Sequence, residues 1–335
     1  HLASSAASDV YKRQDDKTYF ITTNNGTGKR ISLASSPIGN ASITFSKFDD
    51  YTFLEEDLVN LNQSGTDWFG DEFGINLQRN YNFSFPNIDA NTPIVVDARL
   101  VARASTTSSF NIQNDGNNIV SVSLSGVNLS SHTAEIGKAK TATGSFNSSN
   151  SDFQINVIYN QPNFNASGWL DYLALNATRN LQLANNQMAF RVIDAADHNI
   201  VAYNLSNVNA QTTVWDVSDL FNISKINTTI NGSVANFKAE GNSIKEYVAF
   251  NTINNEPTAY GKINNQNLHA LADADMLIVV RAALLSYAND LANFHFEQEG
   301  LTTHVVTLEQ VFNEFSSGTT DITAVRDFFK MMYEI

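Results

Sequence analysis

The run "DMLIVVRAALLSYANDLANFHFEQEGLTTHVVTL", residues 275–308, carries the reading of the fold. Met276-Leu277-Ile278-Val279-Val280 is apolar without alternation, the pattern of a strand covered on both faces. Leu284, Ala288, Leu291 and Ala292 then recur at helical spacing, and Gly300 stands where a left-handed residue ends a helix. "THVVTL" supplies a second apolar strand. The chain continues with "EQVFNEFSSGTTDITAVRDFFKMMYEI": a short helix, a polar turn and an amphipathic helix. Asp321 is the expected N-cap of that last helix, with Ile322, Val325, Phe329 and Met332 as its apolar stripe. Strand, helix, strand and helix in this order predict the opening βαβ unit of a parallel sheet. Two strands and their helices leave one sheet edge and much of each helix face unburied. The expectation is therefore a truncated α/β domain over residues 273–335, with its remainder beyond Ile335.

Upstream the signals are almost all β. Residues 93–105, "PIVVDARLVARAS", alternate through Val96, Ala98, Leu100 and Ala102, and "NNIVSVSLSGV" alternates at Val120, Val122 and Leu124. Further strands are expected at residues 153–160, 169–181, 188–193, 213–218, 236–241 and 245–251. The runs 17–23 and 28–34 flank Asn24-Asn25-Gly26-Thr27, which predicts a hairpin. Short strands separated by Gly, Asn, Asp and Ser turns indicate sandwich-like antiparallel sheets. Residues 15–251 thus form a mainly β region of one or two modules, and residues 252–272 read as a polar linker. Residues 1–14, "HLASSAASDVYKRQ", lack the apolar core of a signal peptide and resemble a translated adaptor or a disordered tail.

Composition narrows the function. The net charge is −14, from 20 Lys plus Arg against 34 Asp plus Glu, and no cation cluster suits nucleic-acid phosphates. No apolar stretch approaches the roughly 20 residues of a membrane span. The chain has no cysteine, which excludes disulfides, thiolate metal sites and a cysteine nucleophile within these residues.

Candidate chemistry is sparse. The six histidines, His1, His132, His198, His269, His295 and His304, include no pair at metal-ligand spacing, and they read as structural. "NNGTGKR" has the look of a phosphate loop, but Arg30 follows Gly28-Lys29 and the leading glycine is missing. Asp273 and Asp275 lack the other oxygens of a calcium loop and read as solvated acids. Asn-x-Ser/Thr matches at Asn40, Asn176 and Asn231 follow from an Asn/Ser/Thr-rich composition. "SGTDWFGDEFG", residues 64–74, offers Trp68, Phe69 and Phe73 as a sugar platform, or Asp71 and Glu72 as a glycosidase pair. Adjacent strand residues point to opposite faces, so that pair is poorly placed to share a substrate. No metal or cofactor is expected. A surface adhesin or carbohydrate-binding β protein is the alternative reading.

Beyond periodicity, "NNQNLHAL", "DADMLIVV" and "GLTTHVVTLEQVFNEFSSGTTDITAVRDFFKMMY" resemble the entry into the peptidase domain of gingipain-type cysteine peptidases. The nearest branch is the sortase of the type IX secretion system. "DKTYFITTNNGTGKRI", "NLNQSGTDWFGDEF", "GWLDYLALNATRNL" and "TTVWDVS" resemble the β-rich region before it, so the likeness runs from about Asp16 to Ile335. It implies a caspase-like sheet and a histidine-activated cysteine nucleophile. It further implies cleavage of the C-terminal sorting domain from secreted cargo, on the extracellular face of a Gram-negative outer membrane. Cargo proteins and other type IX components would be the partners. Neither catalytic residue maps onto this sequence; both are expected beyond Ile335, so the fragment alone should be inactive. His295 and His304 fall on the first helix and second strand, away from the expected base.

Overall fold

The computed structural model describes residues 19–21, 26–63, 67–131, 134–252 and 257–334. Chain contacts divide it into a β unit, Lys29–Pro257, and an α/β unit from Thr258 onward. The β unit opens with β1 (Ser32–Leu33), β2 (Ile43–Phe45), β3 (Lys47–Glu55), β4 (Glu72–Phe73), β5 (Gln78–Ser84) and β6 (Ile94–Arg103). It continues through β7 (Ser108–Asn114), β8 (Asn117–Leu124), β9 (Lys138–Phe146), β10 (Asp152–Asn160), β11 (Ser167–Asn180) and β12 (Gln187–Arg191). It closes with β13 (Ile200–Ser206), β14 (Thr213–Asp216), β15 (Ser224–Lys225), β16 (Thr229–Asn231), β17 (Val234–Glu240) and β18 (Glu246–Phe250).

One large sheet runs β1-β15-β14-β18-β12-β3-β11-β6-β9, with β4 added to β11. Two four-stranded sheets, β5-β10-β7-β8 and β16-β17-β13-β2, pack against it. The first encloses a core of Phe110, Ile112, Ile155 and Val157 against Val96, Leu100, Leu173 and Leu175. The second encloses Val201, Tyr203, Leu205 and Phe237 against Phe48, Phe190, Tyr247 and Ala249. On β3, Phe48 belongs to the second core while Leu54 packs on the first, and both are even-numbered. Side chains alternate along a strand, so both cores lie on the same face of the shared sheet. Alternation over residues 93–105 holds: Val96, Ala98, Leu100 and Ala102 are all buried.

The hairpin expected around Asn24-Asn25-Gly26 falls largely on residues outside the described set, 17–18 and 22–25. In the second run, Ser32 and Leu33 lie parallel to Ser224 and Lys225. Ala34 N–H donates to the Lys225 carbonyl at 2.7 Å, and Lys29 Nζ to Asn222 Oδ1 at 2.6 Å. The edge of a wide sheet offers a row of unpaired carbonyls to such a strand.

The α/β unit contains β19 (Met276–Val280), α1 (Leu285–Glu299), β20 (Thr303–Thr307), α2 (Leu308–Phe315) and α3 (Ile322–Glu334). β19 and β20 pair in parallel, Leu277 opposite His304 and Val279 opposite Val306. Gly300 closes α1 in the left-handed region at φ 72°, as its position predicted. Thr307 and Gln310 form a capping box at the start of α2. Asp321 accepts from the Thr323 N–H at 2.8 Å before α3, satisfying an otherwise orphan donor.

The apolar stripe of α3 is rotated from the one expected. Ala324, Phe328 and Met332 are buried, whereas Ile322 and Phe329 are exposed. The helix docks by its small residue: Ala324 lets the backbone approach Val311, and Phe328 fills the gap against Phe315, ring centroids 5.6 Å apart. Periodicity alone does not distinguish two apolar stripes one residue apart.

Candidate functional site

The α/β unit is assembled by a few polar anchors around an apolar center. Leu277 and Val279 from β19 and Val306 from β20 pack with Leu268, Val311, Ala324 and Phe328. α1 buries Ala288 and contacts β20 and β19, but Ala288 is absent from that core, so it covers the other face. Asp275 Oδ2 ties the two strand starts together. It accepts from Thr302 N–H at 2.8 Å and Thr302 Oγ1 at 2.7 Å, bonds that hold its carboxyl below the usual range. It is thus a structural clasp.

Glu314, at the end of α2, gathers the segment that leads into the unit. Its carboxylate accepts from Gln266 Nε2 at 2.9 Å, from the Leu268 N–H at 2.7 Å and from His269 Nδ1 at 2.7 Å. Burial alone would raise its pKa, but these donors outweigh it and the net shift is downward. His269 also stacks on Phe315, centroids 4.8 Å apart. The stretch from Gln266 to Leu271 is thereby packed onto α2, burying Leu268.

The other described histidines have separate partners. His295 Nδ1 meets Glu299 Oε2 at 2.8 Å one helical turn away, and His304 Nε2 meets the Ala272 carbonyl at 2.8 Å. His198 Nδ1 meets Ser42 Oγ at 3.2 Å. His1 and His132 lie outside the described residues. Among the described residues no histidine shares a partner with another, and no cluster of metal-ligating side chains occurs.

The aromatic and acidic stretch at residues 67–74 forms neither site considered from sequence. Phe69 packs with Val101 and Trp169, and fully buried Phe73 meets the Phe110 ring edge-on at 5.4 Å. Both are core residues, so no platform with Trp68 is presented. Asp71 accepts from Tyr81 Oη at 2.9 Å and lies 3.6 Å from Arg79, whereas the Glu72 side chain is exposed at the strand edge. Beside Phe69 is a shallow cavity of about 370 Å³ lined by Leu61, Asp67, Arg99, Val101 and Ile136. Its cation is spent: Arg99 bonds Asp171 at 2.6 Å and lies 3.6 Å from Asp67. Burial works against the Arg99 charge, but these carboxylates prevail and raise its pKa. Charge neutralised in this way leaves little to recruit a ligand.

The comparisons with known proteins locate the unit. Residues 269–335 match the family model of Peptidase family C25. The crystal structure of dimeric latent PorU from Porphyromonas gingivalis superposes with a TM-score of 0.79 at 24% identity, covering 91% of this chain. The chain spans only 30% of that protein's length. A carbohydrate-binding module CBM36 in complex with calcium and xylotriose overlaps 29% of this chain and 71% of its own, at 12% identity and a TM-score of 0.22. A CBM36-1 domain from the hindgut metagenome of Trinervitermes trinervoides overlaps 38% of this chain and 96% of its own, at 11% identity and 0.25. These last two overlaps are too slight to assign a fold. A search of curated proteins found no match. Residues 269–335 of the α/β unit thus resemble Peptidase family C25, in a chain with the fold found in part of PorU.

Proposed function

We propose that this chain is the β region and the first layers of the peptidase domain of a gingipain-type cysteine peptidase that acts as a type IX secretion sortase. The observation that carries the reading is a coincidence of boundaries: the C25 match begins at residue 269, where Glu314 fastens the chain to the α/β unit. In such a peptidase a thiolate attacks the scissile carbonyl, the amine departs with a proton from histidine, and water or another amine resolves the thioester. This chain has no cysteine, so the nucleophile comes from residues outside it. What these residues contribute is a rigid floor: β19 and β20 set the sheet, and the helices cover its faces.

The cargo would be secreted proteins bearing C-terminal sorting domains, met at the outer surface of a Gram-negative cell. No helix among the described residues is long and apolar enough to cross a membrane. The test is to assay peptide hydrolysis by this chain and by the chain extended along its own reading frame. The shorter form should be inert and the longer one active and thiol-dependent. Turnover by the 335-residue form, or an extension lacking cysteine, would refute the proposal.

A further inference from the structure

The sheet β5-β10-β7-β8 packs one face onto the first β core and turns the other outward. Strand register lines up that outer face in rows. Asn80, Asn156, Gln113 and Asn118 stand opposite one another across all four strands, and Asn82 faces Gln154 one row along. The row on the other side holds Gln78, Ile158, Asn111 and Ser121. Among the strand residues of this face Ile158 is the one apolar side chain, and Asp152, at one end opposite Ser84, is the one charge.

The amides hold one another in place. Asn156 Nδ2 donates to Asn80 Oδ1 at 2.8 Å and to Gln154 Oε1 at 3.1 Å, and Gln154 Nε2 donates to Asn82 Oδ1 at 3.0 Å. On the neighbouring pair of strands, Ser121 Oγ donates to Asn111 Oδ1 at 2.8 Å. An amide carries two N–H donors and an oxygen with two lone pairs, so these bonds leave much of the grid's capacity open. Among the described residues, Asn80 and Asn82 take part only through their oxygens, and the Gln113 side chain makes no hydrogen bond. These groups recur at about 5 Å across the strands and about 7 Å along them.

What such a face can bind follows from what it lacks. It has no cation for a phosphate or carboxylate, and no aromatic or aliphatic cluster to center a protein interface. It presents repeated, uncharged donors and acceptors that are already positioned, which cuts the entropy lost on binding. The complementary partner is a chain of hydroxyl groups. Each such bond replaces one to water and contributes only about 1 kcal/mol, so affinity has to come from several sugar units engaged at once.

We propose that this amide grid is a binding site for a neutral polysaccharide. The site is independent of the peptidase reading, and its test includes no proteolysis. The 335-residue chain is run in native gels cast with dextran, galactomannan or xyloglucan, with dextran sulfate as the charged counterpart. At least one neutral polymer should retard the chain, and dextran sulfate should not. Titration calorimetry should show the hexasaccharide of that polymer binding about tenfold or more tighter than its disaccharide. Gln113→Ala removes no internal side-chain bond and Asn80→Ala lies on the edge strand β5, so a variant that melts early leaves the other to decide. Each should weaken binding about fivefold, the loss of one such bond. Asn231→Ala, an exposed amide on β16, should leave binding unchanged. Retardation by none of the neutral polymers, equal retardation by dextran sulfate, or equal weakening by Asn231→Ala and Gln113→Ala overturns the proposal.

Discussion

Arg179 donates from Nη1 to Asp50 Oδ2 at 2.6 Å while its guanidinium carbon lies 5.0 Å from the center of the Phe48 ring. Arg179 is 5% exposed, and it sits where Ala177 of the first β core gives way to Phe48 and Met188 of the second. Its Nε also donates to the Pro86 carbonyl at 2.5 Å. One buried cation therefore joins β11, β3 and the loop after β5 where the two cores meet.

Removing it leaves the partly buried Asp50 without its partner. Arg179→Ala should cost about 3–5 kcal/mol, the range for breaking one side of a buried pair. Arg179→Lys keeps the charge but loses the planar contact with Phe48 and the Pro86 bond, and should recover only part. Urea unfolding of the β unit, followed by tryptophan fluorescence, gives the comparison. A cost below about 1 kcal/mol, the range of exposed ion pairs, would show that the seam does not depend on this residue.

The rotation of α3 makes neighbouring phenylalanines unequal. Phe328 is 0% exposed and Phe329 is 42% exposed. Phe328→Ala should destabilise the α/β unit by about 3–5 kcal/mol, as for large core truncations, and Phe329→Ala by far less. Denaturation monitored by helical circular dichroism distinguishes them. The reverse order would restore the stripe expected from sequence.

Glu314 predicts a pH dependence with a definite sign. Its carboxyl pKa in the folded chain is depressed, so its contribution is complete above the ordinary carboxylate range and is lost as pH falls through the depressed value. Glu314→Gln should lower stability at neutral pH by about 1–3 kcal/mol, the range for losing hydrogen bonds to a charged group. It should also flatten the acid limb of the stability curve. Limited proteolysis near Gly261 at neutral pH should quicken in the variant. A parallel acid limb in both proteins would assign the dependence to another group.

Two glycines should respond differently to alanine. Gly300 needs only its left-handed backbone, with open space around a would-be Cβ, so the cost should be about 1 kcal/mol. Gly168 on β11 is packed beneath the rings of Phe110 and Tyr159, and a methyl there collides with the Phe110 ring. Gly168→Ala should exceed the Gly300 change clearly, by the range for overpacked cores of about 1–3 kcal/mol or more. Thermal melts of the two variants decide it, and equal midpoints would contradict the packing.

Much of the fold was legible where a single period ruled. β6, β8, β10, β11, β14, β17, β18 and the parallel β19–β20 pair follow from alternation or unbroken apolar runs. The central strand β3 did not, because "KFDDYTFLE" mixes three acids with its apolar residues. Those acids are explained only by distant partners: Asp50 meets Arg179, and Asp49 accepts from the Ile193 N–H at 2.8 Å. The apolar stripe of α3 was misplaced for the same reason, since helix rotation is decided by what lies across the gap. Of the site, the lack of any cysteine could be read directly from the composition. Sequence did not identify Glu314 as an anchor, although "NEFSSG" lay inside the run that carried the family resemblance.

A shared wall has a consequence for how this chain can change over generations. Because β3 serves two interiors from one side, neither interior can be deleted, swapped for a homologous module or hinged away without tearing the sheet that bounds its neighbour. Tolerated novelty is thereby steered to the turns. The halves must be inherited, and must fail, together.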